Sequence, residues 1–128
     1  MMSFRTPLSK ALGLGAAGEG VAHWWMQRLT AVALVPLVLW FGFSVAMIGE
    51  MDYAAITAWI GSPFISVLLI LLIVTGIYHM QLGLKVIVED YIHVQWVKLT
   101  GIILVDFVCI VLMVAGVISV LKILLGAN

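Results

Sequence analysis

Three apolar runs, each long enough to cross a bilayer and each set off by a polar or turn-forming break, fix what this chain can become. They cover roughly residues 24–48, 63–86 and 99–124. A helix rising 1.5 Å per residue needs about 20 residues to cross roughly 30 Å of hydrocarbon. Inside that layer there is no water, so backbone polar groups must be paired by the protein, and a helix pairs them within its own segment. The expected fold is an all-α membrane protein with three transmembrane helices, a single domain over residues 1–128. Composition agrees, with 65% of residues hydrophobic and 9% charged, where soluble domains run near half apolar and a quarter charged.

The breaks set the organisation. Residues 1–20 are polar and rich in glycine (Gly13, Gly15, Gly18, Gly20), without a continuous apolar core ahead of a cleavage site. They read as an uncleaved cytoplasmic tail, and their glycines follow no strand, so they do not form a phosphate-cradling loop. Pro36 falls inside the first span, where neighbours can satisfy the carbonyl it frees. Residues 49–62 read as a short connection carrying Glu50 and Asp52, with Tyr53 and Trp59 suited to an interfacial belt. Pro63 suits the first turn of the second span, where its missing N–H costs nothing. Residues 89–98 read as a polar link to the third span.

Arg5, Lys10, Arg28, Lys85 and Lys98 fall on one side of this arrangement and Lys122 alone on the other. The positive-inside rule then puts the N-terminus in the cytoplasm and the C-terminus in the periplasm. A net charge of zero supplies no basic field for nucleic acid. No internal repeat points to a duplicated transporter. Cys109, the one cysteine, excludes an internal disulfide or a cysteine-built metal site and reads as a small packing residue.

Chemistry is concentrated in residues 76–91. His79 precedes Lys85 by six residues, about 9 Å of helix, which places an imidazole in the cytoplasmic half of the bilayer. An ionisable group at that depth is a functional-site candidate. Leu72, Gly76, His79 and Gly83 share one helical face, and two readings of that face are open. Glycines flanking a histidine let a flat body such as haem approach, with the imidazole as axial ligand. The same pattern also makes a packing groove for a second helix, with His79 hydrogen-bonded across it.

Arg28, near the same membrane level, calls for an anion. A haem propionate suits its planar fork, and snorkelling to lipid phosphate is the alternative. Trp24 and Trp25 read as interfacial anchors, His23 as an interfacial polar residue and His93 as a solvated loop residue. Glu89-Asp90-Tyr91 follows the second span. There the Tyr91 hydroxyl, beside the Asp90 carboxylate, can hold a quinone head, while an ordinary belt tyrosine is the plainer reading. Asp106 lies eight residues past Lys98, inside the third span, and must be paired or protonated.

With these residues in view, the chain resembles the small hydrophobic membrane anchor subunits of succinate dehydrogenase, respiratory complex II. The resemblance covers essentially the whole chain in length, spans and orientation. It also rests on two local patterns, His23-Trp24-Trp25-Met26-Gln27-Arg28-Leu29-Thr30-Ala31 and His79 followed eleven and twelve residues later by Asp90-Tyr91. The second is the more specific. The resemblance implies that His79 is one axial ligand of a haem b, the other coming from a companion cytochrome b subunit, with Arg28 near the haem propionates. It implies that Tyr91 hydrogen-bonds ubiquinone and that Asp90 stands in the proton path. Electrons would arrive from succinate through an extrinsic flavoprotein and an iron–sulfur subunit, at a bacterial inner membrane. The family supplies no role for Asp106. Two rivals remain: a fumarate reductase anchor working in reverse with menaquinone, and a small transporter or haem-free scaffold with Asp106 as its coupling carboxylate.

Overall fold

The structure, a computed structural model, describes residues 16–126, and their side chains from residue 20 onward. Most of the expected tail, residues 1–20, lies outside the described residues. Among those described, four helices follow one another: α1 (Ala16–Ile48), α2 (Tyr53–Ile60), α3 (Pro63–Tyr91) and α4 (Gln95–Leu124). Three stretches are long and apolar enough to cross a membrane, Gly20–Ile48, Pro63–Tyr91 and Gln95–Leu124. The chain is thus all-helical with three candidate spans, and α1 runs unbroken through Pro36.

The helices outrun the apolar runs that predict them. The expected polar link of residues 89–98 shrinks to residues 92–94, because Glu89, Asp90 and Tyr91 finish α3 and Gln95 already opens α4. Nothing in those polar side chains forbids helix, and each added residue gains a backbone hydrogen bond. Ile92 and Val94 break the run with extended backbone.

The connection of residues 49–62 contains a helix that its length hides. Asp52 caps α2 by accepting the Ala55 N–H at 2.8 Å, satisfying one of the first-turn donors a helix leaves unpaired. The helix is tied at both faces. Trp59 stacks on Trp40 of α1, with ring centroids 6.0 Å apart and planes 23° apart. At its C-terminal end, the buried Ser66 hydroxyl donates to the Ile60 carbonyl at 2.6 Å. Pro63 occupies the first turn of α3, as its missing donor predicts.

α3 is the central element, packed against α1 on one face and α4 on another. Small residues set the α3–α4 approach. A Cβ added at Gly116 would stand 3.0 Å from Ile73 Cγ2, and one at Gly101 would stand 3.4 Å from Val88 Cγ1. The apolar residues buried in the described chain are Leu69, Leu82, Cys109 and Val120, and Cys109 is a packing residue as expected. Most other large apolar side chains face outward, notably along α1 and α4. Lipid is as apolar as leucine, so exposure there carries no hydrophobic penalty, and close packing by small residues joins the helices instead.

Gly116→Val forces an overpacked α3–α4 seam and should lower stability by about 1–3 kcal/mol. Gly42 has open space around it, so Gly42→Ala should be neutral or stabilising by up to about 1 kcal/mol. Detergent unfolding midpoints of the two variants test the contrast.

Candidate functional site

α1 and α3 run antiparallel with a register readable from three contacts. A Cβ at Gly83 would meet Gln27 Nε2 at 3.9 Å and one at Gly76 would meet Leu34 Cδ2 at 3.7 Å. Between these, Thr30 faces His79, its Oγ1 2.9 Å from Nδ1. A Cβ at either glycine would make ordinary van der Waals contact with α1, so the stripe lines the seam without being required for its closeness, and His79 is hydrogen-bonded across it. The hydrogen bond across the seam is the one the packing reading of this face expects. It does not use up the histidine, because an imidazole has a second nitrogen.

His79 also borders a groove along α1, lined with Ala31, Leu34, Val35, Val38 and Leu39, with a volume of about 410 Å³. The lining is aliphatic apart from the imidazole and opens away from the protein. Arg28 shares a helical face with Ala31 and Val35, at spacings of three and seven, and so stands at one end of the groove. Its guanidinium lies over the Trp24 ring, 5.2 Å from the centroid, a cation–π contact that the sequence did not disclose. One nitrogen donor, an apolar wall and a cation at the rim are the groups that a flat, axially ligated macrocycle with carboxylate tails would require. The residues fit haem.

On the α4 side of α3 the sequence left Asp106 without a partner, and the structure provides two. Lys85 Nζ lies 2.7 Å from Asp106 Oδ1, and Gln81 Nε2 donates to the same oxygen at 2.5 Å. Lys85 is therefore an ion-pairing residue within α3, spent on a neighbouring helix rather than held free at the loop. The antiparallel registers place Gln27, Arg28, Thr30, His79, Gln81, Lys85 and Asp106 within about 9 Å along the bundle axis. These groups form one polar layer in three apolar helices. Gln27 Oε1 is buried there without a hydrogen-bond partner among the described residues.

Asp90 and Tyr91 are elsewhere. They close α3, both exposed, and stand about 16–18 Å beyond His79 along the helix. Asp90 lies near the His79 face and Tyr91 is turned away by about 120°. His93, in the link, is exposed. Within this chain the fold joins His79 to Thr30, sets Arg28 at a similar level on α1, and leaves the Asp90–Tyr91 pair at a separate level. Sequence reasoning gave Thr30, Gln81 and Lys85 no part in a site. Their polarity inside or beside apolar runs was the available signal, but which groups they meet depends on register.

Breaking the Lys85–Asp106 pair from one side leaves a charge unpaired at the helix seam. Asp106→Leu and Lys85→Met should each destabilise the protein by about 1–2 kcal/mol, with the double variant recovering most of the loss. A double-mutant cycle on detergent unfolding measures this coupling.

Comparison with known proteins bears on the chain as a whole. The profile of the succinate dehydrogenase/fumarate reductase transmembrane subunit family matches residues 2–122. The chain is 34% identical over 117 residues to the succinate dehydrogenase hydrophobic membrane anchor subunit of Rickettsia conorii, covering 91% of this chain and 93% of that protein. It is 33% identical over 90 residues to the corresponding subunit of Paracoccus denitrificans, covering 70% of each. It is 32% identical over 98 residues to the succinate dehydrogenase membrane anchor subunit of Reclinomonas americana, covering 74% of this chain and 82% of that one. No solved structure matches it significantly. With a family profile spanning nearly the full length and three apolar helices to fit it, the chain belongs to the succinate dehydrogenase/fumarate reductase transmembrane subunits, among the hydrophobic membrane anchors of succinate dehydrogenase.

Proposed function

We propose that this chain, as a membrane anchor of succinate dehydrogenase, holds one side of a haem b and contributes to a ubiquinone-reduction site. The carrying observation is His79 at the edge of an apolar groove that opens outward from α1, with Arg28 one turn before Ala31, the first lining residue. His79 would hold the haem iron from this chain, and a companion cytochrome b subunit would complete the site on the open side of the groove. Arg28, whose guanidinium lies over the Trp24 ring, would supply a cation for the haem carboxylates. When bound, haem supplies a one-electron redox centre beside the quinone pocket.

Tyr91 and Asp90 act at the exposed end of α3, at the quinone. Reduction of a quinone takes up two electrons and two protons, and negative charge develops on its carbonyl oxygens. The Tyr91 hydroxyl donates a hydrogen bond to one such oxygen, and a donor aimed at developing charge counts for most where water is scarce. Asp90, exposed beside it, passes protons inward from the aqueous phase. The electrons come from succinate through the flavoprotein and iron–sulfur subunits of the complex. The reading sets the protein in a bacterial inner membrane, N-terminus in the cytoplasm. That orientation puts the Tyr91 end of α3 on the cytoplasmic side, where the basic residues of the tail also fall.

The family description also names fumarate reductase, and direction of turnover with quinone preference separates the two. A transporter that uses Asp106 as coupling carboxylate is disfavoured, because Lys85 and Gln81 already hold that group.

In the complex purified with its partner subunits, His79→Ala should abolish the b-type absorption. A colourless wild-type complex, or one whose haem survives His79→Ala, overturns the haem assignment. Tyr91→Phe should lower ubiquinone reduction by about 10²-fold with haem content unchanged. Wild-type turnover in that variant removes Tyr91 from the quinone site.

A further inference from the structure

Thr30 is 6% exposed, and its hydroxyl has more neighbours than it has protons. Oγ1 lies 2.7 Å from the Met26 carbonyl oxygen, 3.1 Å from the Gln27 carbonyl oxygen and 2.9 Å from His79 Nδ1. A hydroxyl donates once and accepts through two lone pairs. Carbonyl oxygens only accept, so the single Thr30 proton goes to its own helix, where the shortest contact lies. What remains toward His79 is a lone pair. For that 2.9 Å contact to be a hydrogen bond, Nδ1 must carry the proton, and the neutral ring then keeps its free electron pair on Nε2.

We infer that Thr30 is a positioning residue for His79, holding the imidazole in the tautomer and ring orientation in which Nε2 serves as a metal donor. The inference rests on the haem reading proposed above and adds to it a specific device on α1. A free imidazole exchanges its proton between nitrogens and rotates about χ2. Here the second nitrogen is tied to a buried hydroxyl, which is itself tied to the backbone of α1. A hydrogen bond from the far nitrogen also makes the ligating nitrogen a stronger electron donor, which favours the oxidised metal. Groups in this position change metal affinity about 10–100-fold when removed.

The contact has a second consequence for assembly. It joins the helix that carries the ligand to the helix that lines the groove, so ligand and wall hold a common register before any partner arrives. The rest of the α1–α3 packing also holds that register, so loss of the hydroxyl should be felt at the metal more than in the amount of assembled complex.

The test compares wild type, Thr30→Val, Thr30→Ala, Thr30→Ser and His79→Ala in the purified complex, reading haem retention in detergent, haem midpoint potential and the low-spin electron paramagnetic resonance signal. Thr30→Val keeps the shape and removes the hydroxyl; Thr30→Ala removes the hydroxyl without a branched side chain where valine assembles poorly. Both should release haem about tenfold or more readily, raise the midpoint potential and shift the resonance signal. Thr30→Ser restores the hydroxyl and should match wild type. If His79→Ala is haem-free while Thr30→Val and Thr30→Ala keep wild-type potential, signal and retention, the positioning role is overturned and the haem reading stands. Haem persisting in His79→Ala overturns the haem reading and the positioning role with it.

Discussion

Hydrocarbon offers no hydrogen bonds, so each polar side chain that enters it must find its partner in protein. That constraint governs the middle of this bundle. Asp106 is satisfied by Lys85 and Gln81, Thr30 by its own helix and by His79, and Ser66 by the last turn of α2. In water such contacts would compete with solvent and decide little. In a span the alternative is an unpaired charge or dipole in a low dielectric, so these pairings select the register in which the helices meet.

α3 bears most of this burden because it has a neighbour on two sides. Its α1 face carries the imidazole between two glycines, and its α4 face carries the ion pair and the contacts with Gly101 and Gly116. The two faces do different work. The α4 seam neutralises its own charge and closes on small residues. The α1 seam leaves an imidazole at the edge of an aliphatic groove, turned toward whatever lies beside the chain. A family of transmembrane subunits that assemble with others makes sense of that asymmetry, since one side of the bundle is finished and the other is left open.

The long α3 also separates two groups of candidate residues that the sequence sets close together. His79, Asp90 and Tyr91 are twelve residues apart at most, yet a helix converts that spacing into roughly 18 Å. On the proposed reading, a cofactor held at His79 and a quinone held at Tyr91 would occupy different depths, one inside the apolar layer and one near its surface. This suits their chemistry. A redox centre benefits from a dry wall, whereas quinone reduction needs protons from water.

Much was legible in advance because hydrophobicity and helix geometry are local. Run lengths set the three apolar helices, Pro63 marked the start of α3, and the cost of an imidazole in hydrocarbon singled out His79. The short α2 was not legible, since eight residues are too few for a span and its Asp52 cap sits in an otherwise turn-like stretch. Nor were the partners of Asp106 and His79. Lys85 lies 21 positions from Asp106, and Thr30 lies 49 from His79, so no spacing rule joins them. The sequence by itself determined which groups would be expensive in a membrane and how far apart they lie along a helix, because a fixed rise turns position into distance. Only the tertiary structure decided which groups relieve one another, because that depends on how two helices slide and rotate until their small residues and polar atoms coincide.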